Sequence, residues 1–221
     1  KQYRITRDSG DSSRSVHYWA DVWDPDNKSD KYWLFGLSGQ FMGLVTDHVK
    51  RESPGLVQKS AENYTWTQGG AGPYISAVVT TLDPGQNWQV QKKSEQSLDS
   101  YGNVAWSKVY DWNNLGTPAR TYNNYYVTDT NYTSRYIRNL LQSSTVTGTG
   151  QPVPLATNTY DCNGICSVTN VSDPSRLYQH DSSYDVNFRY RGILYTHSDP
   201  GGNSSYLYDV TGNTVGGTVN G

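Results

Sequence analysis

The chain predicts an all-β fold built of antiparallel β-hairpin repeats, and three observations carry that prediction. Tyr206, Tyr208 and Val210 alternate with Leu207 and Asp209, the period-2 pattern of a half-buried strand. Turn residues interrupt the strand segments every ten to fifteen positions, which suits hairpins and not βαβ units. A turn with Asp and Gly three positions apart then recurs along the chain. Its fullest form is Tyr206-Leu207-Tyr208-Asp209-Val210-Thr211-Gly212-Asn213-Thr214-Val215. Asp209 opens the turn, because a short carboxylate accepts the backbone N–H groups just ahead of it. Gly212 takes positive φ with no Cβ clash, and Asn213 tolerates the same region.

Other copies keep part of this unit. Asp99-Ser100-Tyr101-Gly102 repeats the turn, and Tyr160-Asp161-Cys162-Asn163-Gly164 keeps Tyr, Asp and Gly. Tyr110-Asp111-Trp112-Asn113-Asn114 places Asn114 where the glycine stands elsewhere, the next best residue for left-handed backbone. Trp23-Asp24-Pro25-Asp26-Asn27 is a remote variant. The expected turn residues are therefore Asp99, Gly102, Asp111, Asn114, Asp161, Gly164, Asp209 and Gly212.

These residues resemble the YD-repeat proteins of the Rhs (rearrangement hotspot) and teneurin type. The stretch 206–215 follows that repeat almost position for position, with Gly201 and Gly202 where the repeat often carries a glycine. The resemblance runs from about Leu98 to Gly221; Tyr64-Thr65-Trp66-Thr67 and the segment 78–85 are similar to the spacers of bacterial members. It implies long β-strand arrays wound into a hollow shell, placed outside the cytoplasm or loaded into a secretion machine. In several members that shell encloses a toxin.

Composition fits such an array. With 221 residues the chain suffices for one all-β domain, and continuous repetition without a linker predicts a single domain over 1–221. Hydrophobic content is only 34%, yet there are 19 Tyr and 7 Trp, amphipathic rings that cover a sheet face and keep a polar tip wet. That aromatic and β-branched content excludes disorder. A net charge of −2 points to neither nucleic acid nor an anionic membrane, and no run of about 18 apolar residues predicts a membrane span. The sequence starts and stops in mid-pattern, which suggests a processed piece or a segment of a longer chain.

Taken in order, residues 16–23 and 31–35 read as strands joined by a polar loop, and 46–51 as a further strand. A meander follows, with strands at 63–68, 74–82, 88–98 and 104–110 separated by turns at 69–73, 83–86 and 99–103. Lys92, Lys93 and Glu95 read as a solvated face or edge. The segment 134–141 is the one helical candidate, with Ile137, Leu140 and Leu141 at helical spacing. Strand composition resumes at 143–159, and the last sixty residues predict two or three more hairpins.

Chemistry is sparse. His180-Asp181 and His197-Ser198-Asp199 would be triad fragments, but no marked nucleophile accompanies them. The aspartates start turns, so they need no glycosidase reading. No catalytic residue, metal set or cofactor motif is assigned. Cys162 and Cys166 form either a local disulfide, as an oxidising compartment allows, or two free thiols. Asn27, Asn63, Asn131, Asn170 and Asn203 open Asn-x-Ser/Thr sequons and are candidate glycosylation sites.

The function that follows is a structural, non-catalytic β-repeat protein: an extracellular or cell-surface scaffold, a shell wall, or a self-assembling filament. Its partners would be other copies of itself or neighbouring repeats of a parent chain. The alternatives are a carbohydrate-binding or adhesion module whose glycan contacts are Trp19, Trp23, Tyr32 and Trp33, or, as the resemblance implies, a fragment of a toxin-encapsulating shell.

Overall fold

The computed structural model describes residues 4–8, 17–24, 29–35, 39–52, 57–164, 168–171, 177 and 180–220, with backbone alone at 29–32, 34, 35, 163 and 164. The described residues are almost entirely β. They divide into two compact units, Lys1–Thr121 and Tyr122–Gly221.

The first unit contains β1 (Arg4–Arg7), β2 (Trp19–Asp24), β3 (Ser29–Phe35) and β4 (Val45–Glu52). It continues with β5 (Val57–Gly69), β6 (Gly72–Leu82), β7 (Val90–Leu98) and β8 (Val104–Val109). Each strand pairs antiparallel with the next in sequence, so the unit is an unbroken meander. Strand alternation sets the faces: Val49, Ala61, Thr81 and Gln91 stand opposite one another across four strands. Val49, Ala61 and Thr81 are the unit's most buried strand residues, and the Gln91 amide donates to the Thr81 hydroxyl at 3.0 Å. Burial on one face of a pleated strand follows from its two-residue period.

Two hairpin ends in this unit lie against each other. The β5–β6 turn reverses through Gly70 and Ala71, and a Cβ on Gly70 would sit 2.7 Å from the Ser100 carbonyl oxygen. A Cβ on Gly102 would meet that of Ala71 at 3.1 Å. Close approach of two turns is thus why glycine is needed at position 70.

β9 (Arg120–Tyr126) spans the division between the units. In the second unit a single helical turn, α1 (Thr130–Thr133), precedes β10 (Leu141–Thr147) and β11 (Val153–Tyr160). The unit ends with β12 (Leu194–Asp199), β13 (Gly202–Tyr208) and β14 (Thr214–Asn220). Strands β10 to β14 again pair antiparallel in chain order. The helix predicted at 134–141 lies instead at Thr130–Thr133. Asp129 caps it by accepting the Asn131 N–H, and Tyr136 at φ +63° ends helical backbone before the apolar positions begin.

The connection from β11 to β12 is long, and it folds back onto the Asp209 turn. Thr169 forms a bridge there, donating its N–H to the Tyr208 carbonyl and accepting the Val210 N–H at 2.7 Å. Arg191 donates to the carbonyls of Phe188, Tyr184, Asp185 and Val210, binding segment 184–191 to the turn. Five donors in a planar fork suit this task, since each orphan loop carbonyl gains a charged partner. Among the described residues of the unit, Tyr132, Val210 and Asp209 are the best buried, at 3%, 4% and 6% exposure.

Candidate functional site

Asp99 and Asp209 close two hairpins with one set of bonds. The Asp209 N–H donates to the Asn213 carbonyl at 2.9 Å, and the Gly212 N–H returns to the Asp209 carbonyl at 3.0 Å. Its Oδ1 accepts the N–H groups of Thr211 and Asn213, while Oδ2 accepts the Asn213 side-chain amide. At Asp99 the equivalents are Asn103 O at 2.8 Å, the Gly102 N–H, the N–H groups of Tyr101 and Asn103, and the Asn103 amide. Gly102 and Gly212 stand at φ +91° and +88°. Asn213 does not take positive φ; it fills two hydrogen-bonding roles instead.

These bonds stabilise the charged carboxylates. Asp209 is held below the usual carboxyl range by donation from the Thr211 hydroxyl, with the Asn213 and Thr211 N–H groups adding to it against burial. At Asp99 burial acts upward, but the hydrogen bonds from Asn103, Tyr101 and Gly102 outweigh it and its pKa is lowered.

The other two expected turns are built differently. Asp161 itself takes φ +48° at the start of a 3-10 turn, Asp161–Gly164, and its carboxylate accepts the Gly192 and Ile193 N–H groups at 2.7 and 3.3 Å. It ties the far end of a long connection and does not close a tight hairpin, so Gly164 is not the counterpart of Gly212. At Asp111 the left-handed residue is Asn113, at φ +58°, not Asn114. The Asn113 N–H reaches the Gln91 carbonyl and its Oδ1 accepts the Gln91 N–H at 2.9 Å, which fixes that position instead.

Cys162, at φ +52°, is disulfide-bonded. Cys166 lies outside the described residues, as does Asn27. The other sequon asparagines, Asn63, Asn131, Asn170 and Asn203, are exposed. The Asn63 amide donates to Asp47 and that of Asn131 to Asp129.

The four aromatics expected to contact glycan do not form one platform. Trp33 pairs with Ala20 across β2–β3, so it shares a face with Ala20 while Trp19 and Trp23 occupy the other. Trp33 stacks on His48 with centroids 5.3 Å apart, and Arg4 lies over Trp23. The side chain of Tyr32 lies outside the described residues.

Lys93 and Glu95 are not a solvated edge. They share the covered face with Val79 and Lys108, and form an ion pair at 3.0 Å whose side chains are only 20% and 25% exposed. The Tyr110 hydroxyl donates to Glu95 at 2.5 Å, and the Lys93 ammonium rests 4.1 Å from the Tyr110 ring centre. Glu95 is held low by the Tyr110 hydrogen bond and by Lys93, and Lys93 is raised by Glu95 in turn. Lys92 lies on the opposite face, over Trp112.

His197 has both ring nitrogens engaged, Nδ1 with Asn158 at 2.7 Å and Nε2 with Asp199 at 3.2 Å. Neither contact is a hydroxyl or thiol that the imidazole would activate. His17 contacts Asp8 and His48 contacts Glu62.

The terminal strands differ in chemistry. β1 carries Arg4 and Arg7, whereas β14 (Thr-Val-Gly-Gly-Thr-Val-Asn) has neither charge nor proline, and Val219 is 80% exposed. Among the described residues β14 pairs with β13 alone. No helix of the described residues is long and apolar enough to cross a membrane. No family model matches the chain, and no curated protein matches it.

Proposed function

We propose that this chain is a structural, non-catalytic β-repeat protein of the YD-repeat kind, acting as an extracellular scaffold that assembles through its strand edges. The observation that carries the reading is the pair of Asp-x-x-Gly-Asn turns at Asp99 and Asp209, which close hairpins with matching bonds. A repeated hairpin module packs mainly against its neighbours, so its natural product is an array. The described polar clusters support this reading as well. Lys93–Glu95–Tyr110, Asp161–Gly192 and Arg191 all bind one part of the sheet to another, and the disulfide at Cys162 suits an oxidising compartment.

An exposed strand edge supplies the means of assembly, because its unpaired N–H and C=O groups accept a strand from a second copy. Electron microscopy of the native material tests the reading: shell walls or filaments are expected. Uniform isolated monomers, joined to a turnover activity in the same preparation, would overturn it.

A further inference from the structure

The second unit holds an open groove of about 640 Å³ that the scaffold reading does not use. Its walls include Arg135, Ile137, Tyr184, Phe188, Tyr190 and Arg191. Two guanidinium groups lie over the Phe188 ring, Arg135 at 4.5 Å and Arg191 at 5.3 Å from its centre. Tyr184 meets the Phe188 ring edge-on at 4.6 Å and is itself 48% exposed. Tyr190 stands at φ +59°, a strained conformation for an aromatic residue that the loop nevertheless holds.

Charge is concentrated here. Residues 122–221 contain five arginines and no lysine, and four of the five, Arg135, Arg138, Arg189 and Arg191, lie on the two segments that build the groove. Among the described residues, no carboxylate lines it. Arg191 is consumed by loop carbonyls, but Arg135 donates only from Nη1, to the Arg189 and Tyr190 carbonyls. Its Nε and Nη2 groups, on an exposed side chain, remain for an anion.

We propose that this groove binds a saccharide ring that carries a carboxylate or sulfate, with the anion on Arg135 and the ring's apolar face on Tyr184. A peptide fits less well. The carbonyls of Tyr184, Asp185, Phe188, Arg189 and Tyr190 already accept from arginine, so no free backbone row remains for strand addition. Nucleic acid fits less well too, since 122–221 carries seven aspartates against five arginines and offers no extended cationic track. This inference stands apart from assembly and survives its failure.

Calorimetric titration of the full chain tests it with four probes: oligogalacturonate, its methyl ester, a sulfated chondroitin oligosaccharide, and poly-L-glutamate. One or both acidic saccharides should bind, and which of them does separates carboxylate from sulfate. The ester should bind at least about tenfold more weakly, since it lacks the charge that Arg135 pairs. Arg135→Gln and, independently, Tyr184→Ala should each weaken binding about tenfold with an unchanged circular dichroism spectrum. If Arg135→Gln disturbs the fold, Tyr184→Ala decides alone. No binding of either acid, equal binding of the ester, equal binding of poly-L-glutamate, or an unaffected Tyr184→Ala would each overturn the proposal.

Discussion

At Asp209 the N–H, the carbonyl and both carboxylate oxygens are all engaged within five residues. Asp209→Ala would remove the acceptor of the Thr211 and Asn213 donors, residues exposed enough to regain water, a loss of about 1–2 kcal/mol by thermal or urea melts. Gly212→Val should cost about 1–3 kcal/mol, because a β-branched residue is strained at positive φ even where, as here, no atom would touch its Cβ. Gly102→Val should cost more, since its Cβ also meets Ala71. An unchanged melt for Asp209→Ala would refute the turn argument.

The same residues set an acid limit. Asp99 and Asp209 have folded pKa values below their unfolded ones, so their contribution is complete above the unfolded value of about 4 and is lost as pH falls through the folded values. Melts from pH 7 to 2 should show stability falling below about pH 4, with a shallower fall in Asp99→Asn. The Asp-to-Gly spacing was legible in the sequence; the fifth residue was the missed signal. Asn103 and Asn213 follow the glycine in the two true turns, whereas Ile165 and Leu115 occupy that position after Asp161 and Asp111. A turn that lacks the asparagine lacks the side-chain amide that holds the second carboxylate oxygen.

At the scale of elements, the turn clusters located β6, β7 and β8 to within two residues at each end, because Gly, Pro, Asp and Asn mark chain reversals directly, whereas β5 begins at Val57, six residues before the expected 63. The second unit was less legible between Asp161 and Ile193. In the described segment 184–191, Arg191 binds three carbonyls three to seven residues back and that of Val210 across the unit, a set with no regular spacing to reveal it. Arg191→Lys should therefore fail to substitute, because an ammonium cannot serve four carbonyls set around a planar fork. Limited proteolysis should cut between 181 and 193 faster in Arg191→Lys and Arg191→Gln alike. Cleavage at the rate of the unmutated chain would mean that the fork does not hold the loop. Lys93 and Glu95 were misread for a related reason: their charge suggested solvent, while their parity with Gln91 places them on the covered face.

For the whole molecule, the proposed assembly turns on which strand edge would take a partner. Natural edges are guarded by charge or proline, and β1 has its two arginines. β14 has no such guard, and its exposed Val215 and Val219 present an apolar row. On the proposed assembly, β14, which pairs with β13 alone among the described residues, is the expected seam, and Val219→Lys should block association while leaving the melt nearly unchanged. The measurement that bears most directly on the account is sedimentation velocity over a concentration series, run on the unmutated chain beside Val219→Lys. The account predicts species larger than the monomer that grow with concentration and vanish in the variant; a chain that remains monomeric at the highest concentration, or association that survives Val219→Lys unchanged, would contradict it.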